Sequence, residues 1–220
     1  QQAFNTLRRL DLSTEQVVKI ASHNGGSKNL EAVEGAFDAL RRLGFTADQV
    51  VRIANNVGGS KNIEAVQQAF NALIRLGFTA DQVVRMASNV GGSKTIDAVQ
   101  QAFSALSRLG FTANQVVNIA SHDGGSKNIE AVQQAFDALS GLGFTAEQVV
   151  NIVSHCGGSK NIEAVQQAFG ALSGLGFTAE QVVNIASHGG GSKNIDAVQY
   201  AFDALSGLGF TAEQVVNIVC

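Results

Sequence analysis

Residues 45–77 read FTADQVVRIANNVGGSKNIEAVQQAFNALIRLG, and near-copies of this 33-residue stretch fill the chain. The stretch opens with a helix start signal, because Thr46 is a natural N-cap and Gln49, three residues later, can reach back to complete a capping box. We therefore predict a short helix from about Ala47 to Asn55. The pair Gly58-Gly59 then interrupts it, because glycine is a poor helix former.

A second, longer helix is predicted after the glycine pair. Apolar side chains recur there at spacings of three and four residues, which places them in one stripe. They are Ile63, Val66, Phe70 and Leu73. Gly77 is expected to end this helix as a left-handed C-cap, with Phe78 packing back on Leu73. Three further glycines fall inside this helix in later copies and should weaken its last turn by up to about 1 kcal/mol each relative to alanine: Gly141, Gly174 and Gly207.

The repeat is regular over the whole chain. Its opening phenylalanine recurs every 33 residues, at Phe45, Phe78, Phe111, Phe144, Phe177 and Phe210, and Leu12 holds the same place in the first copy. We predict one repeat array over residues 1–220. It comprises a partial repeat at 1–11, six full repeats at 12–44, 45–77, 78–110, 111–143, 144–176 and 177–209, and a partial repeat at 210–220.

We number the six full repeats copies 1 to 6, and a residue's place is its position counted from the start of its copy. A single helix pair cannot bury its apolar stripe, whereas stacked pairs can. The expected fold class is therefore all-α, an α-solenoid of helix–loop–helix repeats.

The composition favours a folded chain. Hydrophobic residues make up 45% of the 220 residues and proline is absent, which argues against disorder and for helix. Two cysteines make neither a disulfide framework nor a zinc pattern. We recognise no signal peptide and no apolar run long enough to span a bilayer, and therefore expect no membrane partner. Because the chain opens within a repeat and not with Met, we expect a piece of a longer protein.

The charge is unevenly distributed. The net charge of −3 argues against a nucleic-acid partner when taken alone. However, residues 1–110 hold 12 Lys and Arg against 9 Asp and Glu, whereas residues 111–220 hold 3 against 9. We expect attraction to an anionic partner to concentrate at the N-terminal end, on Arg41, Arg42, Arg52, Arg75, Arg85 and Arg108.

One place varies while its neighbours do not. The thirteenth place carries Asn24, Val57, Val90, Asp123, Cys156 and Gly189. The GGSK that follows never changes. Drift in a tolerant loop would vary the whole loop, whereas one variable place in a fixed frame is the pattern of repeat proteins that read nucleic acid base by base.

The twelfth place is restricted to histidine and asparagine: His23, Asn56, Asn89, His122, His155 and His188. Histidines one repeat apart are poorly placed to share a metal ion, and asparagine in two copies interrupts the series. Ser121, His122 and Asp123 are sequence neighbours, whereas a catalytic triad is a spatial arrangement. We therefore expect loop bracing by hydrogen bonds to local backbone, and neither an enzyme nor a metal, cofactor or small-molecule site.

A lysine opens the second helix of every copy: Lys28, Lys61, Lys94, Lys127, Lys160 and Lys193. Each should lie beside free N–H groups at a helix N-terminus, which is an anion site by itself. Six such lysines at a regular interval suit a phosphate backbone.

The consensus stretches FTAEQVVNIASHDGGSK (Asn114 replaces the glutamate in residues 111–127) and IEAVQ resemble the repeat of transcription activator-like (TAL) effectors. TAL effectors read DNA one base per repeat. The 33-residue unit and the many phenylalanines are similar to those of divergent TAL-effector-like proteins from marine metagenomes and bacterial endosymbionts. The resemblance covers the whole chain.

The resemblance implies a right-handed superhelix wound in the DNA major groove, with the loops facing inward and successive copies following one strand 5′ to 3′. It implies that the twelfth residue bonds backbone of the first helix and that the thirteenth approaches one base. Phosphate contacts are expected from the lysines and from the first glycine of each pair: Gly25, Gly58, Gly91, Gly124, Gly157 and Gly190. We expect a monomer that binds double-stranded DNA in a host nucleus or a bacterial nucleoid.

Side-chain chemistry suggests a base at three places. Asp123 can accept a hydrogen bond from cytosine N4, and Asn24 can donate to a purine N7, with G preferred to A. Gly189 leaves room for the thymine methyl group. Val57 and Val90 have no polar group, so their chemistry leaves the base open, and the family resemblance favours a purine. Cys156 is small and weakly polar, and its chemistry assigns no base. The predicted site is 5′-G-(R)-(R)-C-N-T-3′.

The chain departs from the family pattern at two places. The usual proline of the second helix is replaced by Asp38, Asn71, Ser104, Asp137, Gly170 and Asp203, so we expect no imposed kink. The usual Lys-Gln phosphate-contacting pair is replaced by Ser-Lys, as at Ser27-Lys28.

Two other kinds of partner stay open. A protein-binding α-solenoid is the alternative function, since ankyrin repeats also have 33 residues, although the T-P-L-H-x-A start is missing here. RNA is a further alternative, although the major groove of A-form RNA is closed to side chains.

Overall fold

The computed structural model describes residues 12–89, 91–155 and 157–219, and these ranges contain thirteen α-helices and no β-strand. The helices run Thr14–Ser22 (α1), Gly26–Arg42 (α2), Ala47–Ala54 (α3), Gly59–Arg75 (α4), Ala80–Ala87 (α5), Gly92–Arg108 (α6), Ala113–Ser121 (α7), Ser126–Gly141 (α8), Ala146–Val153 (α9), Ser159–Gly174 (α10), Ala179–Ser187 (α11), Ser192–Gly207 (α12) and Ala212–Val219 (α13). Short and long helices therefore alternate.

The chain forms two compact units, with the boundary between Ser104 and Ala105 inside α6. In the first unit α1 packs on α2 and α3 on α4, the short helices α1, α3 and α5 follow one another, and the long helices α2 and α4 lie side by side. The second unit repeats this arrangement with the short helices α7, α9, α11 and α13 and the long helices α8, α10 and α12. Each unit is an all-α solenoid of helix pairs, which confirms the predicted fold class.

The short helices begin with the predicted capping box. The Thr46 N–H donates to Gln49 Oε1 at 2.7 Å, and the Gln49 N–H donates to Thr46 Oγ1 at 3.2 Å. Equivalent boxes open α1, α5, α7, α9 and α11. The last predicted residue of α3, Asn55, is its C-cap.

The long helices end as predicted. Gly77 has a φ of 90°, in the left-handed region. Its N–H donates to the Ile74 carbonyl at 2.9 Å, and the Phe78 N–H donates to the Leu73 carbonyl at 3.0 Å. These two bonds make a Schellman motif, which satisfies carbonyls that the helix end leaves open. The opening phenylalanine of copies 2 to 6 is thus tied to the helix before it.

The predicted apolar stripe forms the core of each pair. Ile63, Val66, Phe70 and Leu73 are all buried. The ring of Phe70 meets that of Phe45 with centroids 4.6 Å apart, and copies 3 to 6 repeat this tilted or edge-on contact. Edge-on aromatic pairs are favoured over face-to-face stacking. The pair fixes the entry to the short helix against the long helix, and so positions the loop between them.

Candidate nucleic-acid interface

The variable residues lie in the loops between short and long helices. Val57, between α3 and α4, is 61% exposed although it is apolar. Asn24, Asp123 and Gly189 are also exposed. Val90 and Cys156 lie outside the described residues. An exposed residue that differs strongly from copy to copy, in a loop that otherwise varies little, is available to a partner.

The glycine pair is required by the turn. Gly58 has a φ of 112°, which non-glycine residues rarely adopt. A Cβ atom added to it would lie 2.7 Å from Asn62 Oδ1. The Gly59 N–H donates to the Asn56 carbonyl and the Lys61 N–H to the Gly58 carbonyl, each at 2.8 Å. Backbone conformation and close approach both exclude a larger residue, so the glycines shape the loop.

A buried asparagine at the eighteenth place holds the loop from inside. Asn62 Nδ2 donates to the carbonyl of Val57 at 3.2 Å and to that of Ala87 in the next copy at 3.0 Å. Asn62 Oδ1 accepts from the Ser93 N–H, also in the next copy, at 2.9 Å. One amide group therefore bonds the variable residue of its own copy and two elements of the next.

The twelfth-place histidines of copies 5 and 6 bond the short helix before them. His155 Nδ1 lies 2.6 Å from the Asn151 carbonyl oxygen, and His188 Nδ1 lies 2.9 Å from that of Asn184. His122 is half-buried at the same place of copy 4. His23 differs, since its Nδ1 is buried with no hydrogen-bond partner among the described residues.

Asparagine at the twelfth place bonds differently from histidine. Asn56 Oδ1 accepts from the N–H of Val57 at 2.7 Å, and its Nδ2 donates to the Ser88 carbonyl of the next copy. Asn89, its counterpart in copy 3, is half-buried. The side chain of Asn56 thus bonds the backbone of the variable residue directly.

The lysines that open the long helices are all exposed: Lys28, Lys61, Lys94, Lys127, Lys160 and Lys193. Within the ranges that the structure describes, none of them forms an ion pair. Their ammonium groups are therefore available to an anionic partner.

In copies 2, 3, 5 and 6 the helix-start amides that were predicted to be free beside the lysines are bonded. In α10 the N–H of Ser159 donates to Asn128 Oδ1 of the preceding copy at 3.0 Å, and that of Lys160 donates to the Gly157 carbonyl at 3.0 Å. Ser60, Ser93 and Ser192 make the same bond to the preceding copy. For these four copies the prediction was wrong, because the eighteenth-place asparagine of the preceding copy accepts from the helix-start N–H.

One backbone N–H group of the loop is not used in hydrogen bonds within the described residues of four copies. The N–H of the first glycine has no hydrogen-bond partner among the described residues in four copies, at Gly25, Gly58, Gly124 and Gly190. Gly91 and Gly157 are exposed at the same place. This amide lies next to the variable residue, so an anion bound there would also lie close to that residue.

Neighbouring loops in the second unit border a polar recess. A pocket of about 360 Å³ is lined by Ser121, His122, Asp123, Ser154, His155 and Gly157. These residues come from the eleventh to fourteenth places of copies 4 and 5. Asp123 is exposed and lines this recess between the two loops.

The chain matches a known protein family in segments that begin in the interhelical loops. The family model described as TAL effector repeat matches six consecutive segments, residues 24–56, 57–89, 90–122, 123–155, 156–188 and 189–219. The chain belongs to the TAL effector repeat family. Each match begins at a thirteenth-place residue, so the family unit is our copy shifted by twelve residues. TAL effector repeats bind DNA and are not enzymatic repeats.

No curated protein matches the chain as a relative. Over residues 12–89, 91–155 and 157–219, no helix is long and apolar enough to cross a membrane. The same ranges contain no cluster of three or more histidine, cysteine, aspartate or glutamate side chains that could hold a metal ion.

The eighteenth-place asparagine was missed from the sequence. The signal was present, since the residue after the constant GGSK is asparagine in five of the six copies: Asn29, Asn62, Asn128, Asn161 and Asn194. Copy 3 carries Thr95 there. From the sequence alone, a constant polar residue next to a lysine is expected to be exposed. The structure shows that this residue is buried in four of those five copies.

Proposed function

We propose that this TAL effector repeat array binds double-stranded DNA sequence-specifically, with one base contacted per copy through the interhelical loop in the major groove. One observation carries the proposal. In copies 1, 2 and 4 the strongly variable loop residue is exposed, while its backbone carbonyl is bonded to a buried asparagine, as Val57 is to Asn62 at 3.2 Å. A variable side chain on a fixed backbone is what a modular code needs.

The thirteenth-place residues supply the base preferences. Asp123 is a hydrogen-bond acceptor and suits the N4 amino group of cytosine, and Asn24 suits the N7 of a purine, G before A. Gly189 has nothing within 4 Å of the position where a Cβ would lie, so space is open for the thymine methyl group. With purine at Val57 and Val90 as in the family, and no base assigned to Cys156, the proposed site is 5′-G-(R)-(R)-C-N-T-3′.

The backbone contacts come from a lysine and a glycine in each copy. The six exposed lysines at the start of the long helices bind phosphates as point charges. The unpartnered N–H of the first glycine, at Gly25 and its counterparts, donates to a phosphate oxygen next to the base that its copy reads. Such contacts set position along the DNA and carry no sequence information.

The twelfth-place residues brace the loop. The bond from His155 to the Asn151 carbonyl, at 2.6 Å, supports this role for histidine. The bond from the Val57 N–H to Asn56 Oδ1, at 2.7 Å, supports it for asparagine. Either residue restricts the loop without approaching a base.

The array acts as a monomer that lies along the major groove, with copies 1 to 6 following one strand 5′ to 3′. It works where DNA is present, in a host nucleus or a bacterial nucleoid.

A randomised-DNA selection followed by sequencing tests the proposal. We expect enrichment of sites with C at the fourth and T at the sixth base, and binding that weakens with salt. A matched RNA duplex should compete poorly, because its major groove is closed to side chains. Selection without any enriched base, together with a salt-insensitive protein partner, would instead favour the protein-binding solenoid.

A further inference from the structure

We propose that the eighteenth-place asparagine is a positioning residue for base recognition, which fixes the loop of its own copy and the loop of the next copy to each other. The inference rests on the proposed function and adds a residue that determines its specificity. The bonds that carry it are made by Asn29, Asn62, Asn128 and Asn161.

The asparagine fixes the backbone of its own variable residue. Asn128 Nδ2 donates to the carbonyl of Asp123 at 3.1 Å. A Cβ added to Gly124 would lie 2.5 Å from Asn128 Oδ1, so the loop packs directly on the amide. The direction of a side chain follows from the orientation of its own backbone. Holding the Asp123 carbonyl therefore restricts where the carboxylate points.

The other end of the same amide reaches the next loop. Asn128 Oδ1 accepts from the Ser159 N–H of copy 5 at 3.0 Å. A Cβ added to Gly158, the second glycine of copy 5, would lie 2.5 Å from the same oxygen. A planar amide that bonds two consecutive loops fixes the distance between them. Consecutive loops must follow the regular step of the bases, so this distance matters for reading them.

Because these asparagines are buried, the loss of their hydrogen bonds is costly. Asn29, Asn62, Asn128 and Asn161 are at most 1% exposed. A buried amide that loses its partners cannot bond water in their place, so a shifted loop leaves polar groups unsatisfied. The chain has a natural exception in copy 3, where Thr95 is fully buried and its Oγ1 has no hydrogen-bond partner among the described residues. A threonine hydroxyl is too short to replace both ends of the amide.

The substitution Asn128→Thr tests the inference, because it places in copy 4 the residue that copy 3 tolerates. Binding of the 220-residue chain is measured on DNA duplexes that carry each of the four bases at the fourth or at the sixth position. We expect the preference for C at the fourth base to fall by about fivefold to tenfold, the ratio that corresponds to one lost hydrogen bond. The preference for T at the sixth base, read at Gly189, should be unchanged.

Val132→Ala is the matched control. Val132 is fully buried in the same helix, α8, so its truncation lowers stability without removing a loop bond. We expect its thermal midpoint to fall at least as far as that of Asn128→Thr, with base preferences retained. Equal loss of preference at both bases in Asn128→Thr, or a loss at the fourth base in Val132→Ala, would overturn the inference.

Amide hydrogen exchange gives a readout that does not need DNA. The Ser159 N–H loses its partner in Asn128→Thr and should exchange faster, whereas Val132→Ala should leave it protected relative to its neighbours. A parent chain without base preference would overturn the proposed function, and Ser159 exchange would still decide whether Asn128 couples the two loops. Unchanged Ser159 exchange together with full preference for C would overturn the coupling itself.

Discussion

The Nδ1 atom of His188 lies 2.9 Å from the carbonyl oxygen of Asn184, one helical turn earlier in α11. In the tautomer that carries its proton on Nδ1, the imidazole donates to a carbonyl that the end of the helix leaves without an intrahelical partner. Gly189 follows directly. The histidine therefore joins the start of the loop to the end of the short helix.

Replacing His188 with alanine should weaken binding without changing the preferred base. One neutral hydrogen bond contributes about 1 kcal/mol, so we expect roughly fivefold weaker binding to the matched site. The preference for T should remain, because it comes from the open space at Gly189. Titrations of duplexes with each base at the sixth position measure both quantities.

The matched control for that change is His188→Asn. Copies 2 and 3 carry asparagine at this place, and Asn56 bonds the backbone of the variable residue. Affinity should therefore stay closer to that of the parent than in His188→Ala. A change in the preferred base in either variant would show that the twelfth place selects bases.

Replacing Asp123 with asparagine should relax the preference for C at the fourth base. The amide presents a donor as well as an acceptor, so purines become acceptable and the matched site loses about 1–3 kcal/mol of discrimination. Binding to probes that differ only at this base measures the change. Asp137→Asn, an exposed carboxylate on α8, removes the same charge away from the loop and should leave the preference intact. Equal responses of the two variants would refute the assignment.

Much of the fold was predictable because its signals are local. The capping box of Thr46 and Gln49 and the left-handed Gly77 act within a few residues, so both ends of α3 and the C-terminal end of α4 were predicted to within one residue. The stripe from Ile63 to Leu73 is periodic and is buried as expected. Repetition strengthened each signal, because the same pattern occurs in every copy.

The position of the candidate site could be predicted from the sequence, whereas the hydrogen bonds that hold its loops could not. Variation among copies pointed to Val57 and its counterparts, and these residues are exposed where the structure describes them. The bond from Ser60 to Asn29 joins residues 31 apart, and no local pattern reports such a contact. For this reason all the helix-start amides were predicted to be free, whereas those of Ser60, Ser93, Ser159 and Ser192 are bonded.

Replacing Lys127 with glutamine should reduce the salt dependence of binding. Each phosphate neutralised by a lysine contributes about 0.9 to the slope of log Kobs against log salt concentration, so the slope should become shallower by about that amount. The affinity loss should be the same for every sequence, since phosphates carry no base identity. Lys19→Gln is the control, because Lys19 Nζ already pairs with Glu15 Oε1 at 2.9 Å. A slope unaffected by Lys127→Gln would exclude the phosphate contact.

Substitutions at two glycines near the end of α8 measure the effects of helix propensity and of backbone strain separately. Gly141 is the last residue of the helix, and Gly143 has a φ of 91° in the Schellman turn. A Cβ at either position would meet nothing within 4 Å, so sterics with neighbours play no part. Gly141→Ala should stabilise the chain by about 0.5–1 kcal/mol, because alanine restricts the unfolded chain and favours helix. Gly143→Ala should destabilise it by roughly 1–2 kcal/mol, the cost of a left-handed conformation. Urea unfolding midpoints measure both, and shifts of the same sign would contradict the assigned role of one glycine.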